Sequence, residues 1–186
     1  MREPDELLYS RYVAREDAAD LEALLVRHRE GLFLFLLGFV GSPEDAEELL
    51  MDTFARLAVD KPRFDPRRPG SFKSWLYAIG RNNARMQIRR GRVRTAPLHE
   101  GIPAGGDLPE VALLKDERNR ALYRAMETLK GEYRQALTLL YLEGLSHDEI
   151  AAAMGLRKTQ VYELLKRGKA ALKKALEGMG INDAQY

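Results

Sequence analysis

The amino-acid sequence predicts an all-α protein built as two small helical domains joined by a flexible linker, the C-terminal one containing a helix-turn-helix. Three observations carry that prediction. Apolar residues recur at helical spacing along most of the chain, with no alternating run that would mark a strand. Between the two helical blocks, residues 91–110 turn to glycine and proline (Pro97, Gly101, Pro103, Gly105, Gly106, Pro109), the composition of an extended tether. Near the C-terminus, Ser146, Glu149 and Gly155 fall at the spacing of a capped short helix and its tight turn. The expected boundaries are residues 1–92, a linker at 93–111, and residues 112–186. Each domain is small, so its core is thin.

Leu21, Leu24, Leu25, Leu32, Phe35, Leu36 and Phe39 share one helical face and predict a helix over Asp17–Val40. Gly41-Ser42-Pro43 breaks it. Ser42 is placed to cap the next helix, with Pro43 at its first position and Glu44 and Asp45 in its first turn, where the helix dipole favours acid. That helix, Pro43–Val59, buries Ala46, Leu49, Leu50, Phe54 and Leu57. The loop Lys61–Gly70 holds Pro62, Pro66 and Pro69 and is irregular. Ser71 caps a long helix running to Arg90. A second helical block starts near Val111, with Leu113, Leu114, Leu122, Met126, Leu129, Ala136, Leu137, Leu140 and Tyr141 as its apolar positions.

Composition narrows the function classes. The chain has 186 residues, 45% of them hydrophobic and 31% charged, as a folded globular protein does. Cysteine is absent, which removes disulfides, thiolate catalysis and cysteine metal sites and fits a reducing compartment. His28, His99 and His147 are scattered and form no ligand spacing, so no metal site and no cofactor is expected. No nucleophile–base pair or phosphate loop stands out, so no catalytic residues are assigned and the chain is read as not an enzyme. The first fifteen residues mix both charges and lack the apolar core of a signal peptide. The longest apolar run, Leu32–Val40, is too short to span a bilayer. A cytoplasmic protein with no membrane insertion is expected.

A net charge of +2 conceals a strong pattern. Residues 1–60 carry 6 basic and 14 acidic side chains, residues 61–95 carry 11 and 1, residues 96–156 carry 6 and 10, and residues 157–186 carry 7 and 3. Two basic islands on an acidic body predict two contacts with a polyanion. The first island contains Ser71–Arg90, which opens with Phe72, Trp75 and Tyr77 and closes with Arg81, Arg85, Arg89 and Arg90, with Asn82 and Asn83 between. Rings that stack on bases, set beside cations that neutralise phosphates, point to unpaired nucleic acid. Trp75 itself, a lone tryptophan at helical spacing, is read mainly as core.

The second island lies in the helix-turn-helix signature. Ile150, Ala153 and Met154 form the buried side of its first helix, Gly155 its turn, and Val161, Leu165 and Leu172 the inward face of the second. The second helix of such a motif enters the major groove. Arg157, Lys158, Thr159, Gln160, Tyr162, Glu163, Lys166 and Arg167 are its candidate DNA contacts, with Lys169 facing outward beyond them.

Together these parts resemble the sigma factors of bacterial RNA polymerase, specifically the extracytoplasmic-function group. The resemblance covers about residues 18–177 and rests on three stretches: Asp45-Ala46-Glu47-Glu48-Leu49-Leu50-Met51-Asp52-Thr53-Phe54, then Phe72-Lys73-Ser74-Trp75-Leu76-Tyr77-Ala78-Ile79-Gly80-Arg81-Asn82, then Tyr141 to Gly155. It implies core RNA polymerase and promoter DNA as partners, with an anti-sigma factor as a further one, and a monomer when free. Asp45, Glu48, Asp52, Phe54 and Leu57 would grip the polymerase clamp. Phe64, Arg67, Arg68, Ser71, Lys73, Arg81, Asn82, Arg85, Arg89 and Arg90 would bind and melt the minus-ten element, with the loop Phe64–Ser71 and Asn82 holding a flipped base. The helix-turn-helix would read the minus-thirty-five element.

Two departures from the family pattern stand out. Met51 occupies a position the family gives to glutamine, and Gln160-Val161-Tyr162-Glu163-Leu164-Leu165 lacks the lysine and arginine the family often places there. Glu163 repels phosphate but is able to accept from a cytosine amino group. Two alternatives remain at this level: a sigma-like mimic that sequesters an anti-sigma factor, and an ordinary helix-turn-helix regulator.

Overall fold

Serine starts three of the helices in the same way. Ser42, Ser71 and Ser146 sit in extended backbone and accept from the amides of Asp45, Ser74 and Glu149, satisfying donors that a helix start leaves orphaned. The computed structural model describes residues 3–67, 70–93 and 117–181, with backbone alone at 117–120. Among these, eight α-helices and no strand occur: α1 (Asp5–Arg15), α2 (Ala18–Val40), α3 (Pro43–Val59), α4 (Phe72–Arg89), α5 (Glu117–Glu127), α6 (Gly131–Leu137), α7 (His147–Met154) and α8 (Lys158–Gly178). α6 continues into one π turn, Thr138–Leu142. The linker expected at 93–111, with Leu113 and Leu114, lies almost wholly outside the described residues.

The central element is α2. Leu32 to Leu37 are all buried, a helix apolar all round, which requires neighbours on every side. On one flank it meets α1, α3 and α4; on the other, α6 and its π turn. Thr53 and Gly80 close the contact among α2, α3 and α4: a Cβ on Gly80 would lie 3.1 Å from Leu32 and 3.7 Å from the Thr53 hydroxyl.

α1 has no counterpart in the sequence reading. Its Leu8, Tyr9 and Tyr12 are buried, and the Tyr9 hydroxyl donates to the Pro62 carbonyl at 2.7 Å. Asp5 ties it to α2 through Arg27 and through His28 Nε2 at 2.9 Å.

In the second half, α6 and α8 lie side by side and α7 crosses both α8 and α4. Arg134, 4% exposed, donates from Nε to Met126 O at 3.1 Å and from Nη2 to Glu127 O at 2.6 Å, closing the end of α5. Burial brings its guanidinium down to about 10. The two halves therefore touch directly: α6 and its π turn lie on α2, and α7 lies on α4. No helix among the described residues is long and apolar enough to cross a membrane.

Candidate nucleic-acid interface

Phe72 and Trp75 stand one turn apart on α4, so both rings reach the same side. Phe64 from the preceding loop closes on them, with ring centroids 5.5 Å from Phe72 and 5.4 Å from Trp75. Tyr9 of α1 adds a fourth ring, 5.3 Å from Trp75. Of these rings, Phe64 and Trp75 line a cavity of about 370 Å³ to which Arg67, Gly70, Ser71 and Ala152 also contribute. Aromatic lining of this kind suits stacking on a base.

Trp75, expected mainly as core, packs against the core on Tyr9 and Phe72 and, half-buried, also lines the cavity. The signal that would have found it was the F-x-x-W spacing next to a loop phenylalanine. Tyr9 gave no such signal, because it arrives from a helix 63 positions before Phe72.

The expected nucleic-acid residues divide. Phe64, Arg67 and Ser71 line the cavity, and Arg67 is exposed with its backbone amide and Nε both on Asp65 Oδ1 at 3.1 Å. Arg68 lies outside the described residues. Arg85, Arg89 and Arg90 are exposed along one end of α4. Asn82 is exposed and does not line the cavity; its Oδ1 accepts from Arg81 Nη2 at 3.0 Å. Its neighbour Asn83 is fully buried, donating to Leu49 O at 3.4 Å.

Arg81 and Lys73 point elsewhere. Arg81 Nη1 donates to Ala153 O at 2.9 Å, at the C-terminus of α7, where the helix dipole favours a cation. Burial, with the nearby charge of Arg85, pushes its guanidinium below its ordinary value. Lys73 pairs with Glu143 at 3.0 Å and donates to the Glu143 carbonyl at 3.1 Å.

The acidic helix α3 presents only part of the expected partner surface. Glu48 is exposed and Asp45 half-buried. Asp52, half-buried, accepts from Gln87 Nε2 at 2.7 Å. Phe54 at 4% and Leu57 at 0% exposure are core residues, which corrects their assignment to a polymerase contact: the helix period turns them inward, leaving no surface for a partner. Met51, 48% exposed, takes the apolar place on that face. It lines a groove of about 500 Å³ with Glu44, Glu47, Glu48, Arg29 and Phe33.

The helix-turn-helix is built as its sequence implies. Ser146 and Glu149 complete a reciprocal capping box. Gly155 turns the chain at φ 64°, a conformation that favours glycine. Val161, Leu165 and Leu172 face inward. Arg157, Lys158, Thr159, Gln160, Tyr162, Glu163, Lys166 and Arg167 are all exposed. Lys158 pairs with Asp148 at 2.9 Å, and Tyr162 stacks on His147 with centroids 4.5 Å apart, so two recognition-helix side chains are steadied by α7.

Comparison with known proteins sets these two surfaces in one context. Residues 24–94 match the family described as Sigma-70 region 2, and residues 119–172 match Sigma-70, region 4. The chain is 30% identical to the ECF RNA polymerase sigma factor SigE of Mycolicibacterium smegmatis over 168 residues, 88% of this chain, and spans 64% of that relative's length. It is 29% identical to the RNA polymerase sigma-H factor of Pseudomonas aeruginosa over 187 residues, 95% of each. Among solved structures, CnrH in complex with the cytosolic domain of CnrY matches with a TM-score of 0.60 at 24% identity, covering 94% of this chain and 97% of the other. The sigma factor RpoE in complex with the anti-sigma factor NepR from Bartonella quintana gives 0.59 at 22% identity, covering 85% and 97%. With these two structures the chain shares its fold.

Proposed function

Because the chain belongs to the sigma-70 family, carrying its region 2 and region 4 together as the extracytoplasmic-function sigma factors do, we propose that it binds core RNA polymerase, directs it to specific promoters and helps melt the DNA there. The observation that carries this reading is the pairing of two unlike nucleic-acid surfaces on one chain. The ring-lined cavity at the start of α4, with Arg85, Arg89 and Arg90 exposed farther along the same helix, suits a base drawn out of a strand, which costs a few kcal/mol and is offset by stacking. The exposed face of α8 suits duplex DNA read in its major groove.

Roles are assigned residue by residue. Residues 1–92 would hold polymerase and the minus-ten element, residues 112–186 the minus-thirty-five element, and residues 93–111 would join them. Phe64, Arg67, Arg68, Ser71 and Trp75 would receive the extruded base, with Asn82, outside the cavity, contacting the strand and Arg85, Arg89 and Arg90 on phosphates. Asp45, Glu48, Met51 and Asp52 would face a basic helical element of the polymerase clamp. Glu163 would read a cytosine amino group among the phosphate contacts of Arg157, Lys158, Lys166 and Arg167. On this reading the chain acts by binding rather than by catalysis, as a cytoplasmic monomer, and an anti-sigma factor would hold it in reserve.

Run-off transcription with purified core polymerase and fragments of the source genome tests the proposal. A promoter-dependent transcript seen only when the protein is added is expected. A folded protein that yields none, or that leaves polymerase unbound, would sink it.

A further inference from the structure

We propose that α1 sets the shape of the ring-lined cavity: Tyr9, seated on α2, holds the loop that follows α3 where it completes the cavity wall, which makes Tyr9 a positioning residue for base capture. This rests on the sigma-factor reading for what the cavity receives, but not for the hold on the loop.

One wall of the cavity belongs to that loop. Arg63, Phe64, Asp65 and Arg67 line it from the loop, whereas Ser71, Ser74 and Trp75 line it from the start of α4. The distance between the two walls therefore depends on where the loop lies. The loop begins with an unusual turn. Lys61 has φ 42°, a region that L side chains rarely adopt. It also precedes Pro62, and a proline pushes the residue before it towards a φ of about −120°. A turn of this kind persists only where its surroundings hold it.

α1 supplies the hold. The Tyr9 hydroxyl donates to the Pro62 carbonyl at 2.7 Å, one residue past the turn, and the Glu16 carboxylate just after α1 pairs with Lys61 itself. The Tyr9 ring packs on Phe72 and Trp75, with centroids at 5.4 and 5.3 Å, so one side chain touches both the loop and α4. Burial pushes the Tyr9 hydroxyl up to about 12, which keeps its proton in place for the bond. α1 is itself fixed on α2: Asp5 pairs with Arg27 and with His28, and Arg11 pairs with Asp20. Tyr12, one turn on, donates to the Ala58 carbonyl at 3.3 Å, which is still within α3 and short of the loop. All of α1 precedes the stretch at 24–94 that matches Sigma-70 region 2.

The test uses the full chain. Trp75 is its one tryptophan, so acrylamide quenching of the intrinsic fluorescence reads the exposure of the cavity wall in the free protein. Tyr9→Phe keeps the ring and removes only the hydroxyl. It should raise the quenching constant, while Tyr12→Phe, which removes a hydroxyl away from the loop, should leave it unchanged. A fluorescent single-stranded DNA of mixed sequence is then bound to each variant assembled with core polymerase, beside a strand of the same length made of abasic sites. Tyr9→Phe should weaken the base-bearing strand about five-fold, the worth of one hydrogen bond. The abasic strand and its salt dependence should not change, because phosphate contacts set both. Unchanged quenching, an equal rise for Tyr12→Phe, unchanged binding of the base-bearing strand, or equal weakening of both strands overturns the positioning role. Should Tyr9→Phe not fold, Glu16→Gln, at the exposed partner of Lys61, carries the same expectations. A wild-type chain that leaves core polymerase unbound sinks the sigma reading alone, and the quenching result still decides the hold on the loop.

Discussion

Arg134 shows how much of the second half depends on one side chain. Its guanidinium is buried and directs its donors at carbonyls at the end of α5, groups that would otherwise lack partners. Arg134→Met keeps the length of the stem and removes every donor, leaving those carbonyls unsatisfied. We expect a loss of about 3 kcal/mol, read as a fall in melting temperature of about 10 °C; a change within a degree or two would mean the carbonyls are solvated. Sequence patterning gave no hint of this role, since an arginine between Tyr133 and Gln135 reads as surface. The same blind spot hid the fates of Lys73 and Arg81. Both were legible as cations on a basic helix, but the carboxylate and carbonyls they meet lie some seventy positions downstream. Arg85, Arg89 and Arg90, whose period carries them past the contact with α7, are exposed as their composition implies.

At the scale of the element, legibility tracks local chemistry. α2, α3, α4 and α7 carry their own start signals, and the bounds of α2, α3 and α4 fall within a residue of those expected. α1 carries none: Pro4 precedes it without a side-chain cap, and its tyrosines find hydroxyl partners only on Pro62 and Ala58. The capping box of α7 is open to titration. The Glu149 carboxyl is raised by burial but held, on balance, below its usual 4.5 by Ser71 and Ser146. A depressed folded value means stability present above pH 4.5 and lost as pH falls through that depressed value. Ser146→Ala should cost about 1 kcal/mol at neutral pH, and less once the carboxyl is protonated. Urea unfolding at neutral pH and at progressively lower pH checks this; an equal loss at every pH would show that Glu149 contributes no pH dependence through the cap.

For the whole molecule, the charge blocks and the two signatures made a two-part helical chain readable, but not how the parts meet. The reason is physical: Gly31 and Gly38 look like weaknesses in a helix until a second backbone is laid against them. A chain closed in this way has the dimensions of one globule, with a radius of gyration of about 16 Å for a single copy of this length. Small-angle scattering on the free protein at low concentration measures this; a value well above it, with a monomer mass, would describe halves that stand apart.

The π turn at Thr138–Leu142 sets the register of the chain that follows it. A π turn holds one residue more than the α turn it replaces, and it immediately precedes Glu143. Deleting any one of those five residues would restore a regular helix and rotate the downstream chain by about 100°, carrying Glu143 away from Lys73 and from the notch over Gly31. A one-residue deletion there would thus break the Lys73–Glu143 pair while leaving the contact of Gly38 with Gly131 and Gln135, upstream of the turn, in place.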